Sequence, residues 1–218
     1  MSQVSQARQA SLIARRRHQR VMFTLMGASL AVVFVFLVLL VGFILVKGLP
    51  VVNWEFLTAM PRRGMSAGGI YPAILGTLYL VVLSVAIAAV LGVGTAIYLS
   101  EFAARGRLVS MIRTAVNVLA GVPSVVFGLF GLTVFVKGMN FGVSILSGGL
   151  TLALVVMPSV IRAAEEGLAS VPSSYREASI ALGATRWQTV TRAVLPSAMP
   201  GILTGCILAV GRAAGETA

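Results

Sequence analysis

Between Arg20 and Lys47 the chain runs from Val21 to Val46 without a charged side chain. A bilayer core about 30 Å thick needs about 20 apolar residues in a helix, so this stretch can span with some tilt. It is longer than the roughly 7–15 apolar residues of a signal-peptide core, and no small-x-small cleavage site follows. It reads as a retained anchor. The rest of the chain agrees: 58% of its 218 residues are hydrophobic, 11% are charged, and mean hydropathy is +0.97. Soluble domains carry roughly a quarter charged residues, so this chain cannot cover a globule with a hydrated surface. It belongs in a membrane.

Four more apolar stretches complete the skeleton. Ile70–Ser100 is free of charge and opens on Tyr71-Pro72, where proline suits a first helical turn. Thr114–Val136 predicts a third span, and Met139–Ile161 a fourth, joined to it by a short link at Lys137-Gly138. A fifth begins near Pro200 and runs to Ala218. The expected fold is an all-α polytopic membrane protein with five spans in this chain. Its parts are a basic segment at 1–20, a first transmembrane helix at 21–46, an external loop at 47–69 and a core at 70–218. That core carries a polar loop at 162–198. The fifth run reaches Gly215-Glu216-Thr217-Ala218 with no interfacial anchor after it, which predicts a longer parent chain with a sixth span.

Charge supplies orientation rather than a nucleic-acid surface. The net charge is +11, yet the basic residues sit between apolar runs instead of over a solvated face with stacking aromatics. Arg8, Arg15, Arg16, Arg17 and Arg20 precede the first span; Arg105, Arg107 and Arg113 follow the second; Arg162, Arg176, Arg186 and Arg192 follow the fourth. The opposite loops hold only Lys47, Arg62, Arg63 and Lys137. The positive-inside rule therefore places the N-terminus in the cytoplasm. His18 reads as a solvated member of the basic run, Trp54 as an interfacial anchor and Cys206 as a small packing residue.

Composition also excludes most chemistry. There is no aspartate, and the acids are Glu55, Glu101, Glu165, Glu166, Glu177 and Glu216. One histidine and one cysteine preclude an HExxH site, a Ser-His-Asp triad, a thiolate zinc cluster and an internal disulfide. No G-x-x-x-x-G-K-[ST] loop is present: Lys47 and Lys137 each follow valine, and Gly92-Val93-Gly94 reads as close helix packing. The chain is expected to be non-catalytic, with no cofactor or metal of its own.

Two segments break the apolar monotony. In the 162–198 loop, Val171-Pro172-Ser173-Ser174 is a helix-start signal, with Ser174 as N-cap and Glu177 at capping-box spacing. A helix over Tyr175–Leu182 would close at Gly183 as a left-handed cap. A second, over Thr185–Val194, would end at Leu195-Pro196 and show one apolar face through Trp187, Val190 and Val194. Two short helices meeting at a glycine make a knob, which either docks in a protein groove or packs on its own bundle. The other segment is Gly211-Arg212-Ala213-Ala214-Gly215-Glu216, with charges inside the fifth apolar run. Charge in a bilayer costs at least a few kcal/mol, so such residues usually face a partner or a pathway. Arg212 and Glu216, four apart, share a helix face. Two readings stand: Arg212 as an anion site, or the pair as a lock between helices.

The knob resembles the EAA loop of ABC-importer permeases. Glu177, Ala178, Gly183, Leu195 and Pro196 fall at the spacing of E-A-A-x3-G-x9-I-x-L-P, with Ser179 and Ala193 departing from it. Further blocks resemble the A-type permease subunit of phosphate importers: Gly68-Gly69-Ile70-Tyr71-Pro72-Ala73-Ile74-Leu75-Gly76-Thr77, Gly121-Val122-Pro123-Ser124-Val125-Val126-Phe127-Gly128-Leu129 and Gly211-Arg212-Ala213-Ala214-Gly215-Glu216-Thr217-Ala218. The resemblance runs from about residue 15 to the end. It implies a type I importer permease bundle in the bacterial inner membrane. It also implies a sister permease, two ATPase subunits that hold ATP and Mg, and an external phosphate-binding protein. Glu177, Ala178 and Gly183 would couple to the ATPase, Arg212 and Glu216 would line the pathway, and Pro123 would bend a helix beside it. Competing readings are a permease for molybdate, tungstate or sulfate, an ATP-independent channel or carrier, and a non-transporting membrane scaffold.

Overall fold

A computed structural model describes residues 2–64, 67–104 and 106–217, with side chains from Gln19 onward. The side chains of Arg8, Arg15, Arg16, Arg17 and His18 lie outside the described residues. The chain divides into two units, Met1–Tyr71 and Pro72–Ala218.

The first unit is dominated by α1, Ser2–Gly48. From Val21 to Val46 its large apolar residues point in every direction and stay exposed, as suits a helix whose solvent is lipid. Two hydroxyls in this apolar stretch return to the helix backbone: Thr24 Oγ1 donates to Arg20 O at 2.9 Å, and Ser29 Oγ to Leu25 O at 2.9 Å. Beyond a short 3-10 turn, Asn53 caps α2 (Trp54–Thr58) by accepting from Phe56 N at 2.7 Å. A two-residue antiparallel ribbon follows, β1 (Pro61–Arg62) against β2 (Ala67–Gly68). The Gly68-Gly69 pair has a steric reason. Gly68 adopts φ +90°, and a Cβ on Gly69 would strike the carbonyl oxygens of Phe56 and Ala59. The expected external loop is thus largely ordered by its own backbone bonds.

The second unit is built around α6, Ile145–Ala169. Its main neighbour is α9, Leu195–Thr217. Small residues let the two backbones touch. A Cβ on Gly201 would meet Gly167 Cα at 2.9 Å, and one on Gly205 would strike Ala163. Ascending positions on α9 meet descending positions on α6, so the pair is antiparallel. The helix α3, Tyr71–Ile97, continues into a π turn at Tyr98–Phe102 and packs in parallel on α6. There Gly149 faces Leu83, and Gly92 faces Val160. One apolar cluster joins Ala96, Ile161, Leu168, Val194 and Ala198; another joins Val81, Val156, Val160 and Ala209.

Among the described residues four helices are long and apolar enough to cross a membrane, and a fifth crossing depends on a bent pair. The stretch expected as the third span, Thr114–Val136, with a bend at Pro123, is two helices at 102°: α4, Arg107–Ala120, and α5, Ser124–Gly131, with a π turn to Gly138. Pro123 causes the break. It lacks an N–H and disfavours helical geometry at Val122, and it stands at the N-cap of α5 with ψ 140°.

The fourth span is also displaced from Met139–Ile161. Asn140 and Gly142 take positive φ of 57° and 64°, and a Ser144–Ser147 capping box starts α6 at Ile145. The helix passes Pro158 and continues beyond Ile161 to Ala169. Its charged end is held by α4: Arg162 Nη2 donates to Asn117 Oδ1 at 2.7 Å, and Arg113 lies 3.1 Å from Glu165. The 162–198 segment is therefore mostly helical. The second of its helices does not stop at Leu195-Pro196: α8 (Arg186–Thr189), a π turn at Val190–Val194 and α9 form one 32-residue helix, Arg186–Thr217.

Candidate translocation and coupling elements

The knob forms where α7, Ser173–Ala181, turns into α8. The α7 helix starts one residue before the expected cap, with Pro172 rather than Ser174 at its N-cap and no side-chain capping bond. It ends in a Schellman motif: Gly183 N–H donates to Ile180 O at 2.9 Å, and Ala184 N–H to Ser179 O at 3.2 Å. Gly183 sits at φ +83°, a conformation that a Cβ would strain. Thr185 then opens α8 through a capping box with Gln188, at 2.9 and 3.3 Å. The Ser179 and Thr189 hydroxyls close the turn at 3.0 Å.

Two faces result. Val190 and Val194 are buried against the helices, while Tyr175, Ile180, Leu182 and Trp187 are exposed. Glu177, Ala178 and Gly183 lie on the exposed side, as does Pro196, with Leu195 half-buried. Trp187 leaves the apolar face expected for it and packs on Phe102, with ring centroids 5.9 Å apart.

An arginine that sequence reading treated only as a loop charge anchors this knob. The Arg176 Nε donates to both carboxylate oxygens of Glu101 at 3.2 and 3.1 Å, and Nη2 to Oε1 at 2.6 Å. Its remaining donors reach Val171 O at 2.8 Å and Leu168 O at 3.0 Å. The hydrogen bond to Glu101 raises the guanidinium pKa above its ordinary value, partly opposed by burial and aided by Coulombic attraction. The available sequence signal was Glu101 itself, an isolated acid closing a charge-free span in front of three arginines.

At the far end of α9, Arg212 is half-buried and its Nη1 donates to Ser159 Oγ on α6 at 3.1 Å. Glu216 makes no ion pair with it. Instead Glu216 lines an open cavity of about 480 Å³ with Ser124, Ser144, Ser147, Thr151 and Thr217. Pro123 is adjacent in sequence to this lining, at the start of α5. Most of these hydroxyls are engaged with backbone: Ser147 donates to Gly142 O at 2.9 Å, and Thr151 to Ser147 O at 2.7 Å. Ser159, the partner of Arg212, carried no sequence signal. Among the described residues no group of three or more His, Cys, Asp or Glu is placed to hold a metal ion.

Apolar spans, a half-buried cation late in the last of them and a helical knob ahead of that span define a membrane permease component. The chain belongs to the family of binding-protein-dependent transport system inner membrane components, which matches residues 88–218. It is 36% identical over 192 residues, 88% of its length, to the probable ABC transporter permease protein YqgI of Bacillus subtilis. It is 44% identical over 152 residues, 70% of its length, to the phosphate transport system permease protein PstA 1 of Mycobacterium tuberculosis. With PstA 2 of Mycobacterium bovis it shares 40% over 172 residues, 79% of its length. The matched regions are 65%, 50% and 56% of these relatives, so the chain spans about half to two thirds of their length.

Proposed function

We propose that this chain is the permease subunit of an ATP-driven inorganic phosphate importer, lying in the inner membrane with its N-terminus in the cytoplasm. The observation that carries the reading is Arg212: a guanidinium in the last apolar helix, steadied by a neutral hydroxyl and not neutralised by Glu216. A guanidinium offers planar, bidentate donors that match phosphate oxygens. The phosphate-transport names of relatives at 40% and 44% identity support that substrate. In this reading Arg212 and Glu216 contribute to a pathway shared with a sister permease, and the bend at Pro123 shapes its wall. An external binding protein delivers phosphate. Glu177, Ala178, Gly183, Leu195 and Pro196 belong to the segment that meets two ATPase subunits, where ATP and Mg are bound.

Competition of labelled phosphate uptake tests the substrate, using cells that carry the full-length gene with its partner genes. Unlabelled phosphate is expected to compete, with molybdate, tungstate and sulfate ineffective at the same concentration. Competition by one of those oxyanions instead would keep the importer and reassign its cargo.

Coupling has its own test at Gly183. Proline there fixes φ near −65° and removes the N–H that bonds Ile180, so Gly183→Pro breaks the α7 cap. Phosphate moved per ATP hydrolysed is expected to fall at least tenfold with the protein still in the membrane. Gly183→Ala, strained by about 1–2 kcal/mol, should lose less. Unchanged stoichiometry in the proline variant would remove the knob from coupling.

A further inference from the structure

The knob is continuous in chain with α6 and α9, whereas α3 meets it through side-chain contacts among the described residues. The π turn that ends α3 supplies both of the contacts just described: Glu101 to Arg176 on α7, and Phe102 to Trp187 on α8. The first is directional. Three donor–acceptor contacts at 2.6–3.2 Å fix the guanidinium plane against the carboxylate, whereas an aromatic contact permits sliding. The pair is sheltered, with the Glu101 side chain 10% exposed and Arg176 26%. Through Nη1 and Nη2 the same guanidinium also bonds the Val171 and Leu168 carbonyls where α6 ends. One side chain therefore ties α7 to both α3 and α6.

We infer that Glu101 and Arg176 form a positioning pair that makes α3 move with the α7–α8 knob, so that knob displacement reaches the spans as one body. The inference rests on the ATP-driven reading above. Bidentate, charge-assisted bonds transmit displacement along a fixed direction, and a partly desolvated pair resists exchange with water. Removing either charge leaves the other sheltered and unpaired, so the informative variants keep the site polar. Glu101→Gln retains shape and loses charge, Arg176→Lys retains charge and loses the fork, and Glu101→Asp retains both at shorter reach.

The test uses the full-length permease assembled with its sister permease, ATPase and binding protein in vesicles. Phosphate imported per ATP hydrolysed is measured, with assembled complex quantified separately. The ratio is expected to fall at least fivefold in Glu101→Gln and Arg176→Lys, and to recover substantially in Glu101→Asp. A merely structural role would lower uptake and hydrolysis together and leave the ratio unchanged, which would overturn the inference.

A second measurement leaves the pair intact. In a background with native cysteines, Cys206 among them, replaced by serine, spin labels at Leu182 and Tyr98 report the distance between knob and α3. It is expected to stay within its distribution width between nucleotide-free and ATP-bound states, and a nucleotide-dependent change overturns the inference even if the pair variants fail to assemble. Wild-type vesicles without ATP-driven phosphate uptake would bring down the function and this inference together. Wild-type uptake with unchanged variant ratios would bring down the pair alone.

Discussion

Arg212→Ala should reduce phosphate uptake roughly 10- to 100-fold at unchanged levels of assembled complex, the range expected for losing charged hydrogen bonds worth about 1.5–3 kcal/mol. The guanidinium spends one described bond on Ser159 Oγ, leaving donors for a ligand. Because that partner is neutral, the charge itself is not cancelled. Arg212→Lys keeps the charge but loses the planar fork, and should fall between alanine and wild type. Ser159→Ala removes the steadying bond but no charge, and its effect should be smaller than that of Arg212→Ala. Labelled uptake in vesicles, normalised to assembled complex, orders the variants. Normal uptake in Arg212→Ala would remove this residue from the pathway.

Gly201→Leu is expected to have the largest effect on folding. The nearest atom to a new Cβ is Gly167 Cα at 2.9 Å, which is backbone and has no rotamer by which to withdraw. The α6 and α9 helices must therefore separate, loosening the cluster that buries Leu168, Ala198 and Ile202. Overpacking costs typically 1–3 kcal/mol where neighbours can adjust; here about 3 kcal/mol or more is expected. Gly27→Leu is the control, since nothing lies within 4 Å of its Cβ position. Size-exclusion profiles after graded heating should show Gly201→Leu aggregating well below wild type and Gly27→Leu unchanged. Equal profiles would mean that the close crossing is dispensable.

The candidate site was legible to unequal degrees. Gly183 as a left-handed cap followed from glycine after a helical run, because that conformation is local and excludes most other residues. Arg212 and Glu216 stood out because charge inside an apolar run is costly wherever the helix packs. Which groups they meet was not legible: Ser159 lies 53 positions from Arg212, and Glu101 lies 75 from Arg176. Spacing rules describe neighbours on one helix, whereas these bonds join separate helices.

Its amino-acid order determined the membrane class of this protein, its all-α character and its charge-bearing segments, since apolar length and charge position act locally against lipid. Proline and glycine also marked breaks locally, at Pro123 and Gly183. Tertiary structure decided how those signals were used. Pro123 and Pro158 are both prolines in apolar runs, yet one begins a helix after a 102° bend and the other sits within an unbroken helix. Likewise, Leu195-Pro196 looked like a helix end, but a preceding π turn lets one helix run from Arg186 to Thr217. The reach of α6 past Ile161 coincides with Asn117 and Arg113 meeting its charged end. Local sequence sets the cost of each conformation; contacts between distant helices decide where that cost is offset.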